Sequence, residues 1–239
     1  MTSNRGERRS PMAGPADGAE KRTFDVEAAA GAVRVAVQPF PKAAMFALAD
    51  LGHRSLFAQL VACLLSVRTR DEVSLVASRR LFAVAPTAAA VAAMTPEAID
   101  ALIGDVTFHE QKAHRIHRIA EEAERKHGGD LPCDRALLLA LNGVGPKCAN
   151  LALGIACGEP LISVDIHVHR VCNRWGIVST KTPEETMDAL RDALPAHLWI
   201  EINALLVPFG KHICTGLAPH CSTCPVLDMC RQVGVGQHR

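Results

Sequence analysis

Four cysteines fall within seventeen residues near the end of the chain, spaced Cys214-x6-Cys221-x2-Cys224-x5-Cys230. Thiolates gathered from one short segment hold either a tetrahedral zinc ion or an iron–sulfur cluster, because both take four sulfur ligands. Spacing leaves that choice open, against the alternative of four buried cysteines acting as small hydrophobes. A second constellation lies upstream, in the run LLLALNGVGPKCANLALGIACG from Leu137 to Gly158. An apolar helical stretch ends at Leu141, the turn Asn142-Gly143-Val144-Gly145-Pro146 follows, and a second apolar stretch begins at Lys147. Glycines permit positive φ and leave amides uncovered, so the turn and the next helix's N-terminus are suited to gripping a phosphate. The competing reading is an ordinary αα-hairpin whose glycines only reverse the chain. Lys147 falls in the first turn of that helix, where the positive dipole end disfavours an ammonium ion. It reads either as an amine nucleophile or as a phosphate-neutralising lysine. Eighteen residues on, Asp165 opens another helix and is placed to cap it. The same carboxylate could take up the amine's proton and stabilise developing positive charge. His167, His169 and Arg170 beside it read as helix-face packing or phosphate contacts.

The elements that must position these groups read as helices almost throughout from Phe24. Alanine and leucine dominate the 239 residues, aromatics make up 4% and tyrosine is absent, a composition that favours helix over strand. Leu56 to Val67 is nearly all apolar and fits a buried central helix. Asp71 to Phe82 and Lys112 to Lys126 read as further helices, the second half-exposed. Thr95-Pro96-Glu97 and Thr182-Pro183-Glu184 are helix starts, each with a capping threonine and a proline in the first turn. Met1 to about Arg22 is rich in Gly, Pro, Ser and Arg and reads as a mobile tail whose arginines leave organellar targeting open. Net charge is only +1, so any nucleic-acid contact must come from a local basic face or from backbone donors. The other five cysteines, Cys63, Cys133, Cys148, Cys157 and Cys172, stand singly, which predicts no disulfide framework and an intracellular protein. No run is long and apolar enough for a membrane helix, and no secretory signal pattern opens the chain, so a soluble protein is expected.

Taken together, the GVGPKCAN hairpin, the VDIHVHRVCNRWG segment and the terminal cysteine array resemble the endonuclease III family of DNA-repair glycosylases, from roughly Leu51 to Cys230. The resemblance implies an all-α fold. A six-helix barrel-like domain with a helix-hairpin-helix would span residues 49–159, and a second helical domain would combine residues 24–48 and 160–233, with residues 1–23 as a disordered tail. It implies a [4Fe–4S] cluster on Cys214, Cys221, Cys224 and Cys230, and a monomer acting on double-stranded DNA with damaged bases or abasic sites. The implied activity is that of a bifunctional glycosylase and AP lyase removing oxidised or ring-saturated pyrimidines, with Lys147 forming a Schiff base and Asp165 assisting. A cytoplasmic, nucleoid-associated enzyme is expected. By the same resemblance Gly143, Val144 and Gly145 hold DNA phosphate, and the cluster region docks on DNA with Lys211 nearby. Arg68 stands where the family usually has a glutamine that fills the space left in the duplex, and Phe108 sits in the altered intercalating loop. Asn142 replaces a common proline, Pro146 a frequent basic residue and Cys148 a frequent threonine. Two other readings follow from these changes: a paralogue with altered or mainly abasic-site activity, and a DNA-binding iron–sulfur protein with little turnover.

Overall fold

The apolar sequence LFAQLVACLLS folds into the central helix Leu56–Ser66, ten of whose eleven residues are buried. It belongs to a computed structural model that describes residues 21–239. Among the described residues the regular structure is entirely helical. Its α-helices are α1 Val26–Ala36, α2 Ala44–Asp50, α3 Leu56–Ser66, α4 Asp71–Val84, α5 Ala88–Ala92, α6 Pro96–Ile103, α7 His109–His127, α8 Arg135–Ala140, α9 Pro146–Cys157, α10 Ile166–Trp175, α11 Pro183–Ala193 and α12 Glu201–His212. None is long and apolar enough to cross a membrane.

Local sequence sets most of the boundaries. Ser55, Thr95, Asp134, Asp165 and Thr182 each accept a hydrogen bond from a first-turn amide of the helix that follows. Each such cap contributes about 1 kcal/mol. Gly128, Gly158 and Gly176 stop α7, α9 and α10 in left-handed backbone.

Two apolar clusters form. The first gathers buried residues from Met45 to Leu153, with α3 packed on α9, α4 and α7. The second joins Ala29, Ala30 and Val33 of α1 to buried residues between Ile162 and Cys230, with Trp175 of α10 against Phe209 of α12. The chain passes from one to the other between Leu153 and Ile162, just after α9. Both chain ends therefore contribute to the second cluster.

Residues 1–20 of the expected tail lie outside the described residues. Its last part is held in place: Lys21 Nζ donates to Leu227 O at 2.7 Å, and the Arg22 amide donates to Asp228 O at 3.1 Å.

The expectation that the five outlying cysteines stand singly needs correction. Cys133 and Cys157 form a disulfide, with Cα atoms 6.2 Å apart. Cys133 precedes α8 and Cys157 ends α9, and the hairpin between them folds back so that its two outer ends meet. The pairing crosses 24 residues of sequence and is created by the fold, so no local spacing announces it. Cys63, Cys148 and Cys172 remain free and buried.

Candidate active site

The hairpin forms from α8, a glycine turn and α9. Asp134 caps α8, while no side chain caps α9, whose first residue is Pro146. Gly143 takes φ +82°, and a Cβ there would lie 3.0 Å from Cδ of Arg115 on α7. This position favours glycine for its backbone conformation, and an added Cβ would also have to displace the Arg115 side chain. Gly143 and Gly145 are exposed, whereas Val144 is buried and its amide donates to Leu141 O at 3.1 Å. The open amides at the start of α9 therefore belong to the glycines and to the first helical turn, a donor array matched to a phosphate.

Lys147, half-buried, occupies that first turn. Its Nζ donates to Cys63 Sγ of α3 at 3.5 Å. Burial favours the neutral amine, yet Cys63, Cys148 and Asp165 outweigh it and hold the lysine above its ordinary range. The Cys63 thiol is also buried, which opposes ionisation, but its contacts with Cys148, Lys147 and Ser66 pull it below the usual thiol value. The Cys148 thiol is pushed the other way, first by its hydrogen bond to Cys63 and then by burial.

Asp165 sits at the start of α10. Its Oδ1 accepts from the His167 and Val168 amides, both at 2.9 Å, so the carboxylate caps the helix while its field reaches Lys147. The two strands of chain are tied directly, since Ser163 Oγ donates to Lys147 O at 3.1 Å. Lysine and aspartate thus lie on adjoining helix N-termini, Lys147 following the first apolar cluster's hairpin and Asp165 opening the second cluster's α10.

On the neighbouring rim, Arg68 follows α3 and Phe108 precedes α7. Both are exposed, both hold positive φ (55° and 59°), and the Arg68 guanidinium lies 5.8 Å from the Phe108 ring centroid. The Thr107 amide donates to Thr69 Oγ1 at 3.2 Å and links the two loops. Lys112, expected on a half-exposed helix, is instead buried beneath them. Its Nζ donates to Val67 O at 2.7 Å and Leu65 O at 3.0 Å, closing the carboxyl end of α3.

The four C-terminal cysteines line one small cavity of about 20 Å³, together with Arg174, Trp175 and Phe209. Arg174 Nη1 donates to Thr215 O at 2.6 Å and approaches Cys214 Sγ at 3.5 Å; Arg170 Nη2 donates to Gly210 O at 2.8 Å and Cys214 O at 3.1 Å. Two arginines of α10 thereby shape the start of the cysteine segment. Among the described residues no three His, Cys, Asp or Glu side chains converge closely enough for a single metal ion. Lys211 is engaged with α4 through Glu72 Oε1 at 2.8 Å and Asp71 Oδ2 at 3.5 Å.

Sequence reasoning singled out Lys147 and Asp165 but missed Cys63, which sits in the middle of an apolar helix and carries no local signal beyond its sulfur. It also missed the burial of Lys112.

Comparison with known proteins places the chain among known relatives. Endonuclease III of Thermotoga maritima is 42% identical over 186 residues, covering 77% of this chain and 87% of its own. A solved structure described as a non-covalent endonuclease III–DNA complex superposes with a TM-score of 0.70 at 29% identity, over 85% of this chain and 95% of that one. A second, described as a trapped endonuclease III–DNA covalent intermediate, gives a TM-score of 0.69 at 31% identity, over 75% and 84%. A family model matches residues 61–196, and by that match and these relatives the chain belongs to the HhH-GPD superfamily of base excision DNA repair proteins.

Proposed function

We propose that this protein is a base-excision-repair DNA glycosylase with AP lyase activity, acting on oxidised or ring-saturated pyrimidines in duplex DNA. The observation that carries the reading is the placement of Lys147 and Asp165 on adjoining helix N-termini, where the carboxylate's charge reaches the amine and the Ser163–Lys147 hydrogen bond ties the two segments. A lysine is not needed there for DNA binding alone, and the trapped covalent complex of a relative 31% identical supports its use as a nucleophile.

DNA phosphate binds at the hairpin amides of Gly143 and Gly145 and at the N-terminus of α9. The duplex bends, and the damaged nucleotide leaves the stack and enters the cleft, at lower cost when the lesion already stacks poorly. Arg68 and Phe108, side by side on the rim, occupy the space that it leaves. The neutral Lys147 amine attacks the sugar's C1′ as the base departs; the nitrogen then loses a proton and the C1′–O4′ bond breaks, O4′ taking up a proton, which opens the ring and leaves an iminium on the lysine. Asp165 stabilises the positive charge that develops on the sugar. Loss of a C2′ proton then expels the 3′ phosphate by β-elimination.

Residues 24–43 and 160–233 form one lobe in this reading and residues 44–159 the other. The first boundary sits before α2, because Met45 and Leu48 pack in the first cluster. The four thiols line one largely apolar cavity together and supply the four-sulfur donor set that a [4Fe–4S] cluster takes, the group the family resemblance implies. Cys214, Cys221, Cys224 and Cys230 would hold it. When bound, the cluster would supply an inorganic cross-link within the segment from Cys214 to Cys230, beside Arg174 and Trp175 of α10.

Borohydride trapping on a duplex with one abasic or oxidised-pyrimidine site tests the assignment. The wild-type protein should form a covalent adduct that Lys147→Ala abolishes. Asp165→Asn should slow its formation by about 100-fold. Tight binding with no adduct in the wild type would favour a DNA-binding protein with little turnover. Purified protein should contain iron and acid-labile sulfide, whereas stoichiometric zinc would reject the cluster.

A further inference from the structure

We propose that Cys63 is the proton acceptor that frees the Lys147 amine, the proton passing from Nζ to a sulfur 3.5 Å away within one buried pair. The inference rests on Lys147 being the nucleophile. In the transfer, the electron pair of the broken N–H bond stays on nitrogen as its lone pair, and a sulfur lone pair forms the new S–H bond. An ammonium–thiolate pair becomes an amine–thiol pair, with no change in net charge.

Three observations carry this. First, Cys63 Sγ is the one hydrogen-bond acceptor that Lys147 Nζ reaches among the described residues. Asp165, the other candidate, already directs Oδ1 at two backbone amides of α10 and contributes its charge from beyond hydrogen-bond range of the amine. Second, Cys63 is fully buried in the middle of α3. An ion pair stripped of water pays a desolvation penalty that a neutral pair does not. A nucleotide covering Lys147 therefore drives the proton towards sulfur when the amine is required. Third, the surroundings are built to hold one shared proton. The buried Cys148 of α9 neighbours Cys63, Ser66 lies one turn further along α3 and donates to Cys63 O at 2.7 Å, and Lys112 of α7 and Asp165 of α10 supply one charge of each sign.

A pair sharing one proton keeps a constant fraction of neutral amine across the pH range in which that proton is neither joined by a second nor lost. A solitary lysine does not. The test is single-turnover cleavage of an abasic-site duplex, at saturating enzyme, from about pH 5.5 to 10. Wild type should show a broad flat plateau. Cys63→Val should be slower at pH 7 and climb about tenfold per pH unit until its lysine is neutral, with DNA affinity unchanged. Cys63→Ser, which keeps a hydrogen-bond acceptor but is not ionised, should behave like the valine variant and guards against a packing defect in the latter.

Flat profiles in both variants, or a valine variant as fast as wild type at pH 7, overturn the role of Cys63. A merely structural role would change affinity or thermal stability and leave the profile's shape alone. If Lys147→Ala still forms the borohydride adduct, the nucleophile assignment itself fails. If that adduct is lost while the Cys63 variants keep the plateau, only the present inference fails.

Discussion

Arg68 and Phe108 hold left-handed backbone without being glycine, which costs on the order of 1–3 kcal/mol each. The surrounding structure sustains that strain at two exposed side chains that touch each other, where neither adds to a core. Phe108→Ala should weaken binding to a lesion-containing duplex by about 1–3 kcal/mol, the range of a lost aromatic–base stack, while thermal unfolding stays within about 0.5 kcal/mol of wild type. Unchanged affinity in a titration would remove Phe108 from the interface. Lys112 serves the same rim from below. Burial, with help from Arg115, pushes its ammonium down to about 8 from its ordinary 10.5, against the opposing pull of Cys148 and Cys63. Between those values the unfolded chain holds a proton that the folded one has released, so this residue makes stability rise with pH from about 8 to 10.5 and leaves it flat below about 8, where both states are protonated. Urea unfolding at pH 7.5 and 10 should show that rise in wild type, and Lys112→Met should lack it. A residue of this kind was hard to read from sequence, since one lysine among the basic and acidic residues of α7 looks like any other. Only the carbonyls at the end of α3 single it out.

At the scale of elements, the hairpin is the part most constrained. Asp134 caps α8, Gly143 turns the chain against Arg115, and Cys133–Cys157 fastens the two outer ends. Gly143→Ala should cost 1 kcal/mol or more, because an alanine is strained at φ +82° and its methyl would press on the Arg115 side chain. The disulfide closes a loop of 24 residues, which on loop-closure entropy contributes about 3 kcal/mol. Cys157→Ala should lose that amount in chemical unfolding, and added reductant should bring the wild type to the same midpoint. Equal stability of oxidised and reduced wild type would show that packing alone holds the hairpin. Helix starts at Thr95, Asp165 and Thr182, the glycine turn and the buried character of α3 were all legible, because caps, turns and apolar runs act within a few residues. The disulfide and the Cys63–Lys147 contact were not. Each joins residues whose proximity is made by α3 packing on α9 or by the hairpin's return, and sequence spacing carries no trace of either.

Across the whole molecule, the two apolar clusters are strapped together at several points. Lys211 of α12 pairs with Asp71 and Glu72 at the start of α4, Ser163 donates to Lys147 O, and Asn150 Nδ2 of α9 donates to Ile162 O at 2.7 Å. Lys211 is thus engaged in holding the two sides in register, and the positive charge left to face DNA is correspondingly small. With a net charge of only +1, the molecule has no broad basic field to bind any duplex at long range. In the proposed reading its affinity comes from a narrow strip around Arg68 and the open amides at the start of α9. Backbone amides bind phosphate without bringing full charges, so they add affinity while displacing few counterions. About three to five neutralised phosphates give a plot of log K against log salt with a slope of about −3 to −4.5. That slope should lose about one unit in Arg68→Ala. In Lys211→Ala it should hold nearly constant, while stability falls by about 1 kcal/mol, at the upper end for an exposed ion pair. A Lys211 variant that loses a full unit of slope would instead place that lysine on the phosphates, and would mean that the α4–α12 ion pairs open when DNA arrives.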